Sequence, residues 1–279
     1  MTDRAPAAIL VNRRMLDAIT PVLLTNNEAH NIGRTLKNLA WAREIVIVDS
    51  GSTDETLQIV GQNPRVRLFK RPLDTHCKQW QFATQQTEIS TSWILRLDAD
   101  YQVPESLVDE ISRLDPDGRE GAYRIAFDYA VFSRKLVSTL YPANTILLRV
   151  GRFTVRDEGH TEAWTIEGPV GNLKSHAVHD DWKSMGDWLP RQAGYMKSEL
   201  GKLQLRRAGL RDWLRMRPPL MPIVVFFYCL FGKGLLFSGK AGMLYTLQRT
   251  IAEAMLALLI IEKKIRPDRA EKSAESERP

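Results

Sequence analysis

The chain has 279 residues, 44% hydrophobic and 26% charged, with a formal net charge of +6. That is enough chain to bury a full core in one α/β domain with an appendage, and the balance excludes disordered and fibrous classes. The two cysteines, Cys77 and Cys229, lie far apart, which excludes a disulfide framework and a CxxC metal site and suits a reducing compartment.

Residues 1–18 read as a loose leader. They carry Arg4, Arg13, Arg14 and Asp17 without an apolar core, so no secretory signal is expected and the bulk of the protein is assigned to the cytoplasm. Ile19–Leu24 is an apolar run that reads as a first strand, followed by the polar turn Thr25–Glu28 and a helix through Ile32, Leu36 and Leu39. Glu44–Val48 predicts a second strand ending in Asp49-Ser50-Gly51-Ser52-Thr53-Asp54, with a helix over about 55–61. A strand is expected at Val66–Phe69, a helix at about Gln79–Thr87, and a strand at Trp93–Leu97 running into Asp98-Ala99-Asp100. Strands alternating with helices imply an α/β fold with a mostly parallel sheet covered on both faces, where ligands bind beyond the strands' carboxyl ends. The polar clusters all follow those ends.

After about Ala122 the pattern is mixed. Strands are expected at Tyr123–Phe127 and within Leu140–Val150, then a segment dense in Gly, His, Asp and Glu over Asp157–Asp181. One basic helix is expected from about Met185 to Met216, carrying Lys197, Lys202, Arg206, Arg207, Arg211 and Arg215 and ending before Pro218 and Pro219. Leu220–Phe237 is apolar but interrupted by Pro222, Gly232, Lys233 and Gly234. A last helix over about Lys240–Lys264 sets Met243, Leu247, Ile251, Ala254, Leu258 and Ile261 on one face, and residues 267–279 read as a disordered tail. The expected division is therefore 1–18, 19–185 (halves 19–121 and 122–185), 186–266 and 267–279.

Asp98 and Asp100 at a strand end supply two carboxylates able to hold a hard cation, which in turn neutralises a diphosphate. The same residues also suit a solvated turn before the helix that Pro104 opens. Asp49–Asp54 suits nucleoside recognition: a carboxylate accepts from a base N–H or ribose hydroxyl, and Gly and Ser let the backbone come close. It equally suits a helix N-cap.

Together these segments resemble the family-2 glycosyltransferases. The matching text is Pro21-Val22-Leu23-Leu24-Thr25-Asn26-Asn27-Glu28, then Val46-Ile47-Val48-Asp49-Ser50-Gly51-Ser52-Thr53-Asp54, then Leu95-Arg96-Leu97-Asp98-Ala99-Asp100. Weaker resemblance continues through Tyr141-Pro142, Glu158-Gly159-His160-Thr161-Glu162 and His179-Asp180-Asp181. It points to the bacterial branch that builds lipopolysaccharide cores and other envelope glycans. The resemblance implies a GT-A fold and a nucleotide-sugar donor, most simply a UDP-sugar. It further implies a uridine pocket from Thr25, Glu28, Asp49 and Asp54, with Asp98 facing ribose and diphosphate and Asp100 binding Mn2+ or Mg2+. Two departures stand out. Many relatives have Arg-Asn where this chain has Trp80-Gln81, so Lys78 or Arg71 is the expected replacement cation near the phosphates; many also have an Arg where Asn144 stands.

Transfer in this group is expected to invert the anomeric centre by direct displacement, which needs a general base on the acceptor hydroxyl. A carboxylate stays ionised near neutral pH, so Glu162 ranks first and Glu158 second, ahead of Asp157 and His160. His179 is a candidate for the metal shell, since neutral imidazole suits manganese. Positive charge beside apolar sequence at 186–237 suggests a peripheral or monotopic protein on anionic lipid at the cytoplasmic face of the membrane, with a lipid-linked or glycan acceptor. The alternatives are a sugar-phosphate nucleotidyltransferase, whose Gly-rich phosphate loop is missing at Thr25–Asn31, and a catalytically silent membrane scaffold of the same fold. Nucleic acid is not an expected partner, because no stacking-aromatic motif accompanies the basic residues.

Overall fold

The computed structural model describes residues 13–157, 162–205, 209–218 and 220–266, in two compact units. The first comprises 1–133 and 140–182, the second 134–139 and 183–279.

The first unit is built on a seven-stranded sheet. A short helix α1 (Arg13–Asp17) leads into β1 (Ile19–Thr25), α2 (Ala29–Asn38), β2 (Ile45–Asp49), α3 (Thr56–Gly61), β3 (Val66–Lys70), α4 (His76–Gln85) and β4 (Trp93–Asp98). There follow β5 (Tyr101–Gln102), α5 (Glu105–Ser112), β6 (Ala122–Ile125) and β7 (Phe127–Val131). The unit resumes with β9 (Asn144–Arg149), β10 (Phe153–Asp157), β11 (Glu162–Ile166), β12 (Val170–Asn172) and β13 (Ala177–Asp181), the two-residue β8 (Arg134–Lys135) belonging to the second unit. The strand order is β12-β6-β9-β4-β1-β2-β3. β4, β1, β2 and β3 run parallel, while β9 is antiparallel to both β4 and β6.

The central strands are nearly continuous apolar runs because both faces are covered. One face packs Leu23, Ile45, Ile47, Leu95 and Leu97 against Ile32 and Leu36 of α2 and Leu107 and Ile111 of α5. The other packs Val22, Val46, Val48 and Ile94 against Cys77, Trp80 and Ala83 of α4 and Val155 of β10. α4 begins three residues earlier than expected, because the Thr75 hydroxyl accepts from the Lys78 N–H at 3.2 Å and caps its first turn. A smaller sheet sets β13 between β5 and β7, pairing His179 with Tyr101 on one side and Tyr129 on the other. β10 and β11 form a hairpin whose tip, 158–161, lies outside the described residues.

The second unit is mostly helical: α6 (Met185–Leu205), α7 (Leu210–Arg215), α8 (Leu220–Phe227) and α9 (Gly239–Ile265). The single basic helix expected over 185–216 is instead α6 and α7, the latter starting after Gly209 in extended conformation. The apolar run 220–237 is not one helix either. After α8 the chain widens into a π turn (Tyr228–Gly232), bends at Gly234 (φ 65°), and tightens into a 3-10 turn (Leu235–Ser238). Gly242 lets α9 pass this turn; a Cβ there would lie 2.0 Å from the Leu235 carbonyl oxygen. Arg215, read from sequence as surface charge, is 5% exposed and bonds Glu253 through Nε (3.0 Å) and Nη2 and Glu199 through Nη1 (2.7 Å).

Candidate active site

Strand register brings the acidic clusters to neighbouring strand ends. Thr25 pairs with Asp49 across β1 and β2, and Leu24 with Asp98 across β1 and β4. Because side chains alternate along a strand, Asp49 shares its face with Thr25, on the side of α2 and α3, and Asp98 shares its face with Leu24, on the side of α4. The two acids are neighbours along the sheet edge and opposites across it.

On the first face the carboxylate of Asp49 is fully buried and accepts four hydrogen bonds: Oδ1 from the N–H groups of Gly51 and Ser52, Oδ2 from the hydroxyls of Thr25 (2.8 Å) and Ser52 (2.5 Å). That fills the acceptor capacity of a carboxylate. In this structure the Asp49 carboxylate shapes the loop, and Thr25 is buried beneath it. Asn27, in a left-handed conformation (φ 54°), accepts from the Thr53 N–H at 2.8 Å and stitches the two loops together. Asp54 accepts from Ala29 N–H at the start of α2 and from both the N–H and hydroxyl of Thr56. Burial opposes its charge, but these hydrogen bonds hold its carboxyl below the usual range. Glu28, also buried, accepts from Asn31 Nδ2 at 3.0 Å.

On the second face Asp98 stands close to Asp100. Burial first and the Asp100 charge second raise its pKa, against the opposing pull of Arg96 and His76. Two carboxylates that destabilise each other's ionisation fit a cation between or beside them. Among the described residues no three His, Cys, Asp or Glu side chains gather where they could hold a metal ion. His179 Nε2 lies 3.1 Å from Asp100 Oδ2, and its ring stacks on Tyr141 (4.6 Å, 30°) with Tyr129 edge-on at 4.6 Å. Burial works against the imidazolium, yet Asp100, with Asp98 and Asp181, outweighs it and the His179 pKa rises. Burial likewise pushes the phenols of Tyr101 and Tyr141 up, so both stay neutral and hydrogen-bond to each other. The neighbouring Asp180 is structural, taken up by Arg34 Nη1 (2.7 Å), the Ser133 hydroxyl and the Trp182 indole N–H.

Glu162, at the start of β11, faces His76 Nδ1 at 2.9 Å and Arg96 Nη1 at 3.5 Å. Burial opposes its charge, and His76 and Arg96 more than restore it, so its pKa falls. Glu158 lies outside the described residues. Of the cations expected near the phosphates, Arg71 pairs with both Asp74 oxygens (2.8 and 2.9 Å), and Lys78 Nζ lies 3.6 Å from Asp74 Oδ2. The buried cation beside Asp98 is Arg96, its guanidinium over the rings of Trp80 (5.4 Å) and Trp164 (4.6 Å). Sequence reasoning missed it. The signal was a lone arginine two residues before Asp98 in an otherwise apolar strand, hence on the same face.

The sequence profile described as Glycosyl transferase family 2 matches residues 22–164. An uncharacterized glycosyltransferase of Rickettsia bellii is 32% identical over 106 residues, covering 38% of this chain and 35% of that protein. The lipopolysaccharide core biosynthesis glycosyltransferase LpsC of Rhizobium meliloti is 29% identical over 174 residues, covering 56% of this chain and 60% of that protein. The matched region thus spans about a third of the Rickettsia relative and less than two thirds of the Rhizobium one. The crystal structure of S. aureus TarS 1–349 in complex with UDP aligns over 85% of this chain and 90% of that one, at 16% identity and a TM-score of 0.43.

Proposed function

The chain belongs to glycosyltransferase family 2, and from that premise we propose that it moves a sugar from a nucleotide-sugar donor, a UDP-sugar in the simplest case, to a lipid-linked or cell-envelope glycan, with inversion. The observation that carries this is the convergence around Asp98 of Asp100 and the Glu162–His76–Arg96 cluster. A thermal-shift screen of nucleotide sugars with and without Mn2+, followed by transfer to envelope glycan acceptors, tests it. Stabilisation by UDP-sugars is expected; indifference to every nucleotide sugar would refute the reading.

The nucleoside is placed against the stitched loops 25–28 and 50–54, where Glu28 and Asp54 border the edge that Asp49 and Thr25 hold in shape. Asp98 and Asp100 would hold Mn2+ or Mg2+, whose charge stabilises the leaving diphosphate. His179 orients Asp100 through its Nε2 contact and stands ready to enter the shell. Glu162, kept ionised by His76, takes the proton of the attacking hydroxyl, a role worth roughly two to four orders of magnitude in rate.

The second unit supplies a membrane surface in this reading. α8 and the turns after it expose Ile223, Val224, Phe227, Phe231 and Phe237, the last 84% exposed, and α9 exposes Met243, Leu247, Leu258 and Ile261. Arg211, Lys263 and Lys264 are exposed in the same unit, and apolar surface with basic residues beside it suits anionic lipid. The segment Leu235–Ile265 is long and apolar enough to cross a bilayer. The buried Arg215–Glu253–Glu199 cluster argues for an in-plane helix instead, since crossing would carry these charges into hydrocarbon.

A further inference from the structure

Arg96 is a buried cation of the first unit whose ion pair with Glu162 leaves donors unused. A guanidinium carries five N–H donors, and this one, 8% exposed, makes a single long hydrogen bond among the described residues, to Glu162 at 3.5 Å. Its Nε has no acceptor among the described residues, and neither do the indole nitrogens of Trp80 and Trp164. These are the rings over which the guanidinium lies, and they meet edge to face at 5.7 Å. Three N–H donors from β4, α4 and β11 therefore gather in one neighbourhood without acceptors, one of them charged. Buried donors are normally satisfied, and buried charge is normally paired.

We propose that Arg96, with the indole N–H groups of Trp80 and Trp164, forms an oxyanion-binding site that takes a phosphate or carboxylate group of a substrate. A neutral sugar hydroxyl offers these donors only a weak acceptor, an apolar group would leave all three orphaned, and a cation is repelled. An oxyanion answers each deficit, and the planar guanidinium fork matches it in two contacts. Packing against two tryptophan rings fixes the side chain in advance, so little rotamer freedom is lost on binding. Arg96 stands two residues before Asp98 on the same strand face, so the site adjoins the proposed donor site, and the inference rests on that reading for its ligand. Two sources supply the anion: the diphosphate of the donor, or an acidic group on the acceptor sugar.

The test measures binding of UDP, uridine, glucuronate and glucose to the full chain, for wild type, Arg96→Met, Arg96→Lys and Trp164→Phe, each checked by thermal unfolding. Arg96→Met is expected to weaken UDP about 10- to 100-fold with uridine unchanged if the donor is the source, or glucuronate by a similar factor with glucose unchanged if the acceptor is. Arg96→Lys should recover part of the loss, since it restores charge without the fork. Trp164→Phe keeps the ring, removes one donor and should cost a smaller factor; it carries the test should Arg96→Met fail to fold. Wild type that binds UDP while the variants bind both anions equally well overturns this site and leaves the donor reading intact. Wild type that binds no nucleotide, with or without manganese, overturns the donor reading instead, and the glucuronate arm then decides the site.

Discussion

Glu162 Oε2 lies 2.9 Å from His76 Nδ1. The two shifts reinforce each other: against the effect of burial, His76 lowers the glutamate's pKa and Glu162 raises the histidine's. The ion pair is complete while His76 is charged and Glu162 ionised, so its contribution to stability is full between about 4.5 and about 6.5, and is lost as pH rises through the raised histidine value or falls through the lowered glutamate one. For activity the sign is opposite at the other partner. His76→Ala removes the cation that keeps Glu162 ionised, so the acidic limb of kcat/KM against pH should move to higher pH. Glu162→Gln should lower kcat about 100-fold or more with UDP binding unchanged. An unmoved acidic limb in His76→Ala would separate the two residues functionally.

Asp100→Ala should abolish transfer and remove the response of donor binding to Mn2+. It deletes one of the two carboxylates and also strands His179 Nε2, whose acceptor is Asp100. Chelation of wild type with EDTA should mimic the variant, and added Mn2+ should restore wild type alone. Full activity in Asp100→Ala would refute the metal role.

Asp49→Ala should act on stability first. Two backbone N–H groups and two hydroxyls lose their acceptor at a fully buried position, which costs about 3 kcal/mol where buried donors go unsatisfied. Asp49→Asn keeps one oxygen for the Gly51 and Ser52 N–H groups and should cost less. Urea unfolding followed by tryptophan fluorescence reads both. Near-native stability in Asp49→Ala would show that the loop holds without its carboxylate.

The sheet was legible because its cause is local: Ile45–Val48 and Trp93–Leu97 are apolar runs that only burial on both faces explains, and their acids mark the strand ends. Which face each acid occupies was not legible, because it depends on register. A one-residue offset between Leu24–Asp98 and Thr25–Asp49 pairing sends Asp98 toward α4 and Asp49 toward α2. The Glu162–His76 contact joins residues 86 positions apart through the packing of a hairpin on a helix, beyond any spacing rule. Arg215 was misread for a related reason. Its position among basic residues spoke for the surface, and the partner that buries it, Glu253, lies 38 residues away.

The proposed in-plane placement of α9 makes a prediction about sidedness. A helix that crosses the bilayer separates its ends, whereas one lying along it keeps them together. Lys264→Cys, near the end of α9, and Arg43→Cys, an exposed position of the first unit, should react with a membrane-impermeant maleimide in the same vesicle preparations and be protected in the same ones. Cys77 and Cys229 are buried and should contribute little background. The companion variant Phe227→Asp with Phe231→Asp puts charge on rings 54% and 65% exposed, which stack on each other at 6.2 Å. It should lose flotation with vesicles containing anionic lipid while the catalytic unit still binds UDP. Raising salt should weaken what electrostatic attraction contributes and leave the apolar contribution in place. Labelling of Lys264→Cys and Arg43→Cys from opposite sides would show instead that α9 crosses. The Arg215–Glu253–Glu199 cluster would then have to sit within the bilayer, where a charge at the centre of a helix costs about 3 kcal/mol on insertion scales.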